Sequence, residues 1–389
     1  MSPVLHIIAY IILLSIFYNF SKNNIKDKYR NSFWLIAIIP IIVFSLVEGC
    51  RYGRGVDYLS YVYRFEHINP LDEPQVLFLW LMQLLSSIGF DSVGAFITYS
   101  FIFITGTFFF IKNTYDKDNA QWIYLFAFLA MTLRAENFVR QFIAQPFIFA
   151  SIPFIFKRKW IPAVLLILAA INIHTGVLIQ VPLIICSYFL IKKTFNWKIW
   201  ILMLFFAYYV IPNGILVSAF TNLLSILHLD SLIASDHVMH YIEDSDRWLG
   251  EGSILEAAEQ SIFTMTLQFL FEASVIYSSY KLLIKYPNQK VLFAYNIAVA
   301  GFILCRLFHG YEIFTRMMWQ MYMYWFIPVG YSFYAINKER ILYKNKMKEM
   351  MKIKGTLILL CFYQFMFWAR FIFLNPEAKF FWDNINFII

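Results

Sequence analysis

Apolar runs of roughly 15 to 22 residues recur along the entire chain, each long enough for a helix to cross a bilayer core about 30 Å thick. Lipid offers no hydrogen-bond partner to a free backbone amide, so such runs must form helices or the strands of a closed barrel. The strict alternation of apolar and polar residues that marks barrel strands is missing from them. With 60% apolar and only 14% charged residues among 389, the chain is also far oilier than a soluble core requires. The expected fold is therefore all-α, a polytopic integral membrane helical bundle.

The candidate spans are 3–20, 32–47, 93–112, 120–133, 140–156, 160–173, 175–191, 198–214, 261–279, 290–306, 314–336 and 355–374, about twelve in all. Basic residues collect at Lys22/Lys26/Lys28/Arg30, Lys157/Arg158/Lys159, Lys192/Lys193/Lys198, Lys281/Lys285/Lys290 and between Lys338 and Lys354. Positively charged loops stay in the cytoplasm, and these clusters do so together only if the apolar stretch 75–90 does not cross. That stretch is read as a juxtamembrane or re-entrant helix. The opposite face then receives the loop around Arg51, the turn from Arg134 to Arg140, His174, the loop 215–260 and the hairpin between Arg306 and Arg316. Loop 215–260 sets Asp230, Asp236, Glu243, Asp244, Asp246, Glu251, Glu256 and Glu259 against Arg247 alone, as expected of a translocated segment. The formal net charge of +8 is thus a signature of sidedness and says little of nucleic acid. The first run has neither a basic leader nor a small-residue cleavage site and is expected to stay as a span. No linker or low-complexity stretch interrupts the chain, so a single transmembrane domain, 1–389, with outer loops 48–92 and 215–260, is expected.

Soluble nucleotide chemistry is excluded by what the motifs lack. There is no P-loop, and Gly53-Arg54-Gly55 has neither the third glycine nor the strand-to-helix setting of a dinucleotide site. Cys50, Cys186, Cys305 and Cys361 stand at or inside spans with no paired spacing, which reads as small core residues. His237 and His240 with Asp236 and Asp244 lack a further fixed ligand spacing, so no metal site and no cofactor is expected.

Chemistry concentrates between the first two long spans and the next, in Glu48-Gly-Cys-Arg51-Tyr52-Gly-Arg54-Gly55-Val-Asp57-Tyr58-Leu-Ser-Tyr61. Guanidinium forks grip phosphate or carboxylate, a carboxylate takes a proton, and tyrosine faces suit sugar rings. Asp57 also reads as the cap of the helix that follows it. Further on, Arg134, Asn137 and Gln141 share a helix face, while Glu136 and Arg140 are spaced as an ion pair. Arg134 opposes the positive-inside trend and needs an anionic partner. Arg306 closes one span, where it either snorkels or binds, and Arg316 opens the next with Gln320 and Tyr324 stacked behind it. As a set with Arg51 and Arg54, these arginines look like an outward-facing clamp for a diphosphate. Glu272, one turn after Gln268 in the middle of span 261–279, costs on the order of 3 kcal/mol unless it faces the bundle and finds a partner. A tyrosine or arginine partner that fixes packing and a proton-coupling role in transport are both open to it.

The order of these motifs resembles the EpsG family of exopolysaccharide polymerases, relatives of the Wzy-type O-antigen and capsule polymerases. The resemblance is carried by Arg51-x-x-x-Gly55-x-Asp57-Tyr58-x-x-Tyr61, by Asn137-x-x-Arg140-Gln141-x-x-Ala144 opening a span, by the basic turn after it, and by His174. It covers residues 1–190 by motif and the remainder by hydropathy, with Gln145-Pro146 as a departure inside the motif span. What it implies is a GT-C-like membrane glycosyltransferase that acts without a metal in the bacterial cytoplasmic membrane, its active site facing the periplasm or cell exterior. The growing glycan would pass from undecaprenyl diphosphate to a fresh lipid-linked repeat unit. A flippase and a chain-length regulator of the same pathway are the expected partners. In that reading Asp57 is the first candidate for the base and His174 the second. Arg51, Arg54, Arg134, Arg140, Arg306 and Arg316 hold the diphosphate, and Tyr52, Tyr58, Tyr61, Asn137 and Gln141 meet sugar. A lipid-linked oligosaccharide flippase is the main alternative, disfavoured because the charges gather in outer loops and not in a central cavity. A membrane acyltransferase would need a histidine deep in a span, and only His174 and His309 stand near a membrane edge.

Overall fold

Helices end where their sequences say they should. Asp91 caps one long span by accepting the Gly94 amide at 2.8 Å, Asn196 caps another through Lys198, and Asn288 a third through Lys290 and Val291. In the computed structural model, residues 3–24, 32–50, 58–71, 73, 75–135, 139–189, 193–211, 262–309 and 312–342 are described. Among them there is no strand. The helices are α1 (Pro3–Asn23), α2 (Phe33–Gly49), α3 (Tyr58–Glu66), α4 (Val76–Ser87), α5 (Ser92–Thr114), α6 (Lys117–Ala120), α7 (Ile123–Ala135), α8 (Val139–Phe156), α9 (Trp160–Ile173), α10 (Gln180–Phe189), α11 (Trp197–Tyr209), α12 (Ile262–Lys285), α13 (Gln289–Leu307), α14 (Glu312–Tyr322) and α15 (Phe326–Leu342).

By length and composition α5, α8 and α13 are long and apolar enough to cross a bilayer. Elsewhere the packing is that of a molecule solvated by lipid. Leu35, Ile39, Ile161 and Leu165 face outward, while Ser45, Gln145, Ser151 and Glu272 are buried. This is a helical membrane protein. α4 has 12 residues, a length of about 18 Å against a core of about 30 Å, which is short for a crossing.

The sequence reads as one uninterrupted transmembrane domain, yet the chain packs as two compact units. Among the described residues, unit 1 runs up to Leu178 and resumes from Phe326 to Leu342, and unit 2 runs Ile179–Trp325. No polar linker betrays the division, because both passages fall in short 3-10 segments, Thr175–Ile179 and Met323–Trp325. The second of these interrupts the span expected at 314–336, which is two helices, α14 in unit 2 and α15 in unit 1. Pro328 follows the break and favours it: it donates no amide, and its ring crowds the carbonyl of Tyr324 four residues earlier.

Aromatic pairs fix the order of unit 1. Phe20 meets Phe33 and Tyr10 meets Glu48, so α1 and α2 run antiparallel. Phe44 meets Phe103, which sets α2 against α5, while Phe103–Phe142 and Phe110–Phe149 set α5 and α8 side by side in one direction. α5 and α8 approach so closely that a Cβ on Gly106 would come within 2.2 Å of the Pro146 side chain. Tyr124 at the start of α7 packs on Phe20 and Phe108. By these pairings the last turns of α2 and α7 and the first turns of α5 and α8 come to one end of unit 1, with the last turn of α9. Lys22, Lys112 and the turn Lys157–Lys159 come to the other. In unit 2, α12, α13 and α11 pack on one another, with α14 against α13.

Candidate functional site

A short amphipathic helix starts the site. Along α3, Tyr58 and Phe65 turn inward, and Tyr61 and Arg64, three residues apart, share the next face. Tyr58 is 2% exposed and stacked on Phe96 at 4.9 Å, so that ring face is covered in this structure. Tyr61 is half-buried, edge-on to Phe78 at 6.2 Å, with its hydroxyl turned to α8.

There it meets Arg140, in the first turn of α8. Arg140 Nε donates to Tyr61 Oη at 3.0 Å, and Nη1 donates to Glu73 Oε1 at 2.9 Å and also to Gln75 Oε1. Glu73, in the non-helical stretch before α4, takes Arg64 Nη1 on its other oxygen at 3.2 Å. The spacing of Glu136 and Arg140 suggests an ion pair within one helix. The ion pair the structure gives Arg140 is with Glu73, 67 residues away in sequence, while Glu136 falls outside the described residues. Arg140 is thus held on three sides, and Nη2 is the edge of its guanidinium that no described residue takes. Gln141 follows it, half-buried. A small cleft is lined by Phe44, Tyr99, Ser100, Phe103, Phe142 and Ile143, with Val139, the neighbour of Arg140 in sequence.

At the same end of unit 1, His174 caps α9 with extended backbone, and its two ring nitrogens are buried. Its imidazole lies over Gly176, where a Cβ would come within 2.6 Å of Nε2. Arg51, Tyr52, Arg54, Asp57 and Asn137 fall outside the described residues, as do loop 215–260, His237, His240 and span 355–374. Arg134 is in the last turn of α7, and its side chain is likewise outside them. Among the described residues no three His, Cys, Asp or Glu side chains come together as metal ligands.

Unit 2 has a polar cluster of its own. Glu272 is fully buried and accepts Tyr208 Oη at 3.0 Å and Gln268 Nε2 at 3.1 Å, the tyrosine partner being one of those its position in a span requires. Arg306, 8% exposed, lies over the Tyr208 ring at 4.9 Å and donates Nη2 to Met265 Sδ at 3.0 Å. Gln320, behind the half-buried Arg316, accepts Gln180 Nε2 at 2.8 Å, and Tyr324 reaches the same Gln180 at 3.5 Å.

Compared with known families, residues 33–383 match the EpsG family. The chain belongs to the EpsG family. With that membership it stands among membrane proteins of polysaccharide biosynthesis. Comparison with curated proteins and with solved structures returns no match. The family match spans both units, from α2 to beyond α15. Arg64, Glu73 and Gln75 are the members of the cluster around Arg140 that spacing does not reveal. One signal points to them: an arginine in the first turn of an apolar helix needs an anion, and the acidic pair Asp72-Glu73 stands between Pro70 and Pro74 just before α4.

Proposed function

We propose that this chain is a membrane glycosyltransferase that polymerises lipid-linked oligosaccharide repeat units on the extracytoplasmic face. Membership of the EpsG family supports the class of reaction. The observation that carries it to this molecule is Arg140, locked by Tyr61, Glu73 and Gln75 with one guanidinium edge that no described residue takes, at the end of unit 1 remote from its lysine-rich turns. A cation fixed in this way suits an oxyanion whose position must be controlled.

In the proposed reaction a hydroxyl of the acceptor repeat unit attacks the anomeric carbon of the growing glycan. The new carbon–oxygen bond forms as the bond to the diphosphate breaks, and undecaprenyl diphosphate leaves with the electron pair. Arg140, with Arg51, Arg54 and Arg134 from the same unit, offsets the charge that builds on that leaving group. The hydroxyl proton passes to Asp57, preferred over His174 because the imidazole nitrogens are buried. Tyr52 and Tyr61 offer aromatic surface to sugar, and Asn137 and Gln141 offer amide groups. In unit 2, Arg306 is read as part of the Tyr208–Glu272 cluster that ties α11, α12 and α13 together.

The test is where substrate accumulates when the gene is removed. A missing polymerase leaves single lipid-linked repeat units on the outer leaflet, accessible to an added glycosidase in intact spheroplasts. A missing flippase leaves them on the inner leaflet, protected until the membrane is opened, and that result would replace the polymerase reading with transport.

A further inference from the structure

Arg64 and Glu73 have no part in the reaction as drawn, yet they hold the residue at its centre. Glu73 is 4% exposed, and its oxygens are divided between two cations: Oε1 takes Arg140 at 2.9 Å and Oε2 takes Arg64 at 3.2 Å. The Gln75 backbone amide steadies Oε1 from the loop side at 3.4 Å. Each guanidinium engages Glu73 through Nη1, and no described residue accepts from either Nη2. One tyrosine flanks both, since the Tyr61 ring centre is 5.8 Å from Arg64 Cζ and 5.9 Å from Arg140 Cζ. The Arg140 side chain is 19% exposed and that of Arg64 32%, so one arm is rooted and the other reaches toward solvent. Two cations and one anion leave the group at a net charge of +1.

We propose that Glu73 is a positioning residue that aligns Arg64 and Arg140 as the two arms of one oxyanion site, with the diphosphate of the lipid carrier as ligand. The choice of ligand rests on the polymerase reading, whereas the alignment stands on the geometry. Two guanidinium groups side by side repel and sample many rotamers. A shared carboxylate removes both obstacles before the ligand arrives, so little freedom remains to be lost on binding. A diphosphate presents two linked anionic centres, and two planar donors held at fixed spacing match them as a pair of mobile ammonium groups cannot. A single arm would serve a carboxylate or a monophosphate.

Electrostatics gives this proposal a sharp sign. Glu73→Gln raises the charge of the group from +1 to +2 and keeps the side-chain shape. If Glu73 were only a counter-ion, the substitution would tighten anion binding. If it aligns the arms, the amide repels one guanidinium, that arm swings away, and binding weakens despite the added charge. The experiment uses the purified full-length protein in detergent, with undecaprenyl diphosphate, undecaprenol and inorganic diphosphate as separate probes. The expected result is binding of undecaprenyl diphosphate well above undecaprenol, weakened roughly tenfold by Glu73→Gln. Arg64→Gln leaves the Glu73–Arg140 pair in place and should weaken the same probe with an unchanged melting temperature, which keeps the test readable if Glu73→Gln fails to fold. Inorganic diphosphate competing as strongly as the lipid form would mean that the head group alone is recognised, and the two-armed site would stand. Equal or tighter binding by Glu73→Gln, or unchanged affinity in Arg64→Gln, overturns the proposal while leaving polymerisation intact. Conversely, Glu73-dependent binding in a protein that makes no polymer would remove the polymerase reading and leave this site.

Discussion

At the scale of single residues, the buried carboxylates Glu73 and Glu272 each have named donors, and each pairing has a measurable consequence. Tyr208 donates to a carboxylate that has no access to solvent. Removing only that hydroxyl, Tyr208→Phe, should cost about 1 to 3 kcal/mol, read as a lower melting temperature in detergent, because Glu272 is left short of a donor. At Arg140, Arg140→Lys keeps the charge but cannot serve Tyr61, Glu73 and a ligand with one planar fork, so polymer should be lost while the protein still inserts. Recovery of full-length polymer in that variant would reduce Arg140 to a packing role. Asp57→Asn separates base from cap, since the two side chains cap helices about equally. Turnover should fall by roughly a hundredfold or more with little change in stability, whereas near-normal activity would mean a cap. Glu272 was legible in the sequence as a residue needing a partner, because a carboxylate in a span has no alternative. Glu73 was not, because its pairing to Arg140 depends on how a loop folds back across 67 residues.

At the scale of elements, the helices follow from hydropathy, and what hydropathy misses is how they are joined. The run 314–336 is mostly apolar, yet it forms two helices, α14 and α15, joined by a 3-10 segment just ahead of Pro328. Likewise 175–191 reads as one span, whereas a 3-10 turn precedes the 10-residue α10. The turn between α8 and α9 carries a testable cost. Arg158 adopts φ 57° while its amide and that of Lys159 return to Ile155 and Phe154, a helix ending that favours glycine. Arg158→Gly should therefore stabilise the protein, by up to about 1 kcal/mol. Gly106 lies at the opposite extreme, since any side chain there meets Pro146 and wedges α5 from α8. Gly106→Val should cost about 1 to 3 kcal/mol and reduce polymer as well, because α8 carries Arg140.

At the scale of the whole molecule, charge in the sequence gives an expected sidedness, and unit 1 gathers the groups concerned at opposite ends. Its lysine-rich turns come to one end, and Arg140, His174 and the residues around α3 to the other. The division into two units left no mark in the sequence, since apolar helices continue through both. In a background where the exposed Cys50 is replaced by serine, Leu71→Cys should react with an impermeant thiol reagent in intact spheroplasts, and Asp118→Cys should react only after lysis. The reverse pattern would turn the candidate site toward the cytoplasm. The central claim is that this chain itself joins lipid-linked repeat units, using a fixed arginine at the outer end of α8. Its most direct measurement is the product formed when the purified protein is reconstituted with an undecaprenyl-diphosphate-linked repeat unit and nothing else. The predicted result is a ladder of products differing by one repeat unit, abolished by Arg140→Ala in protein that still folds. A single unextended band from the folded wild-type protein, or a full ladder from the Arg140→Ala variant, would contradict it.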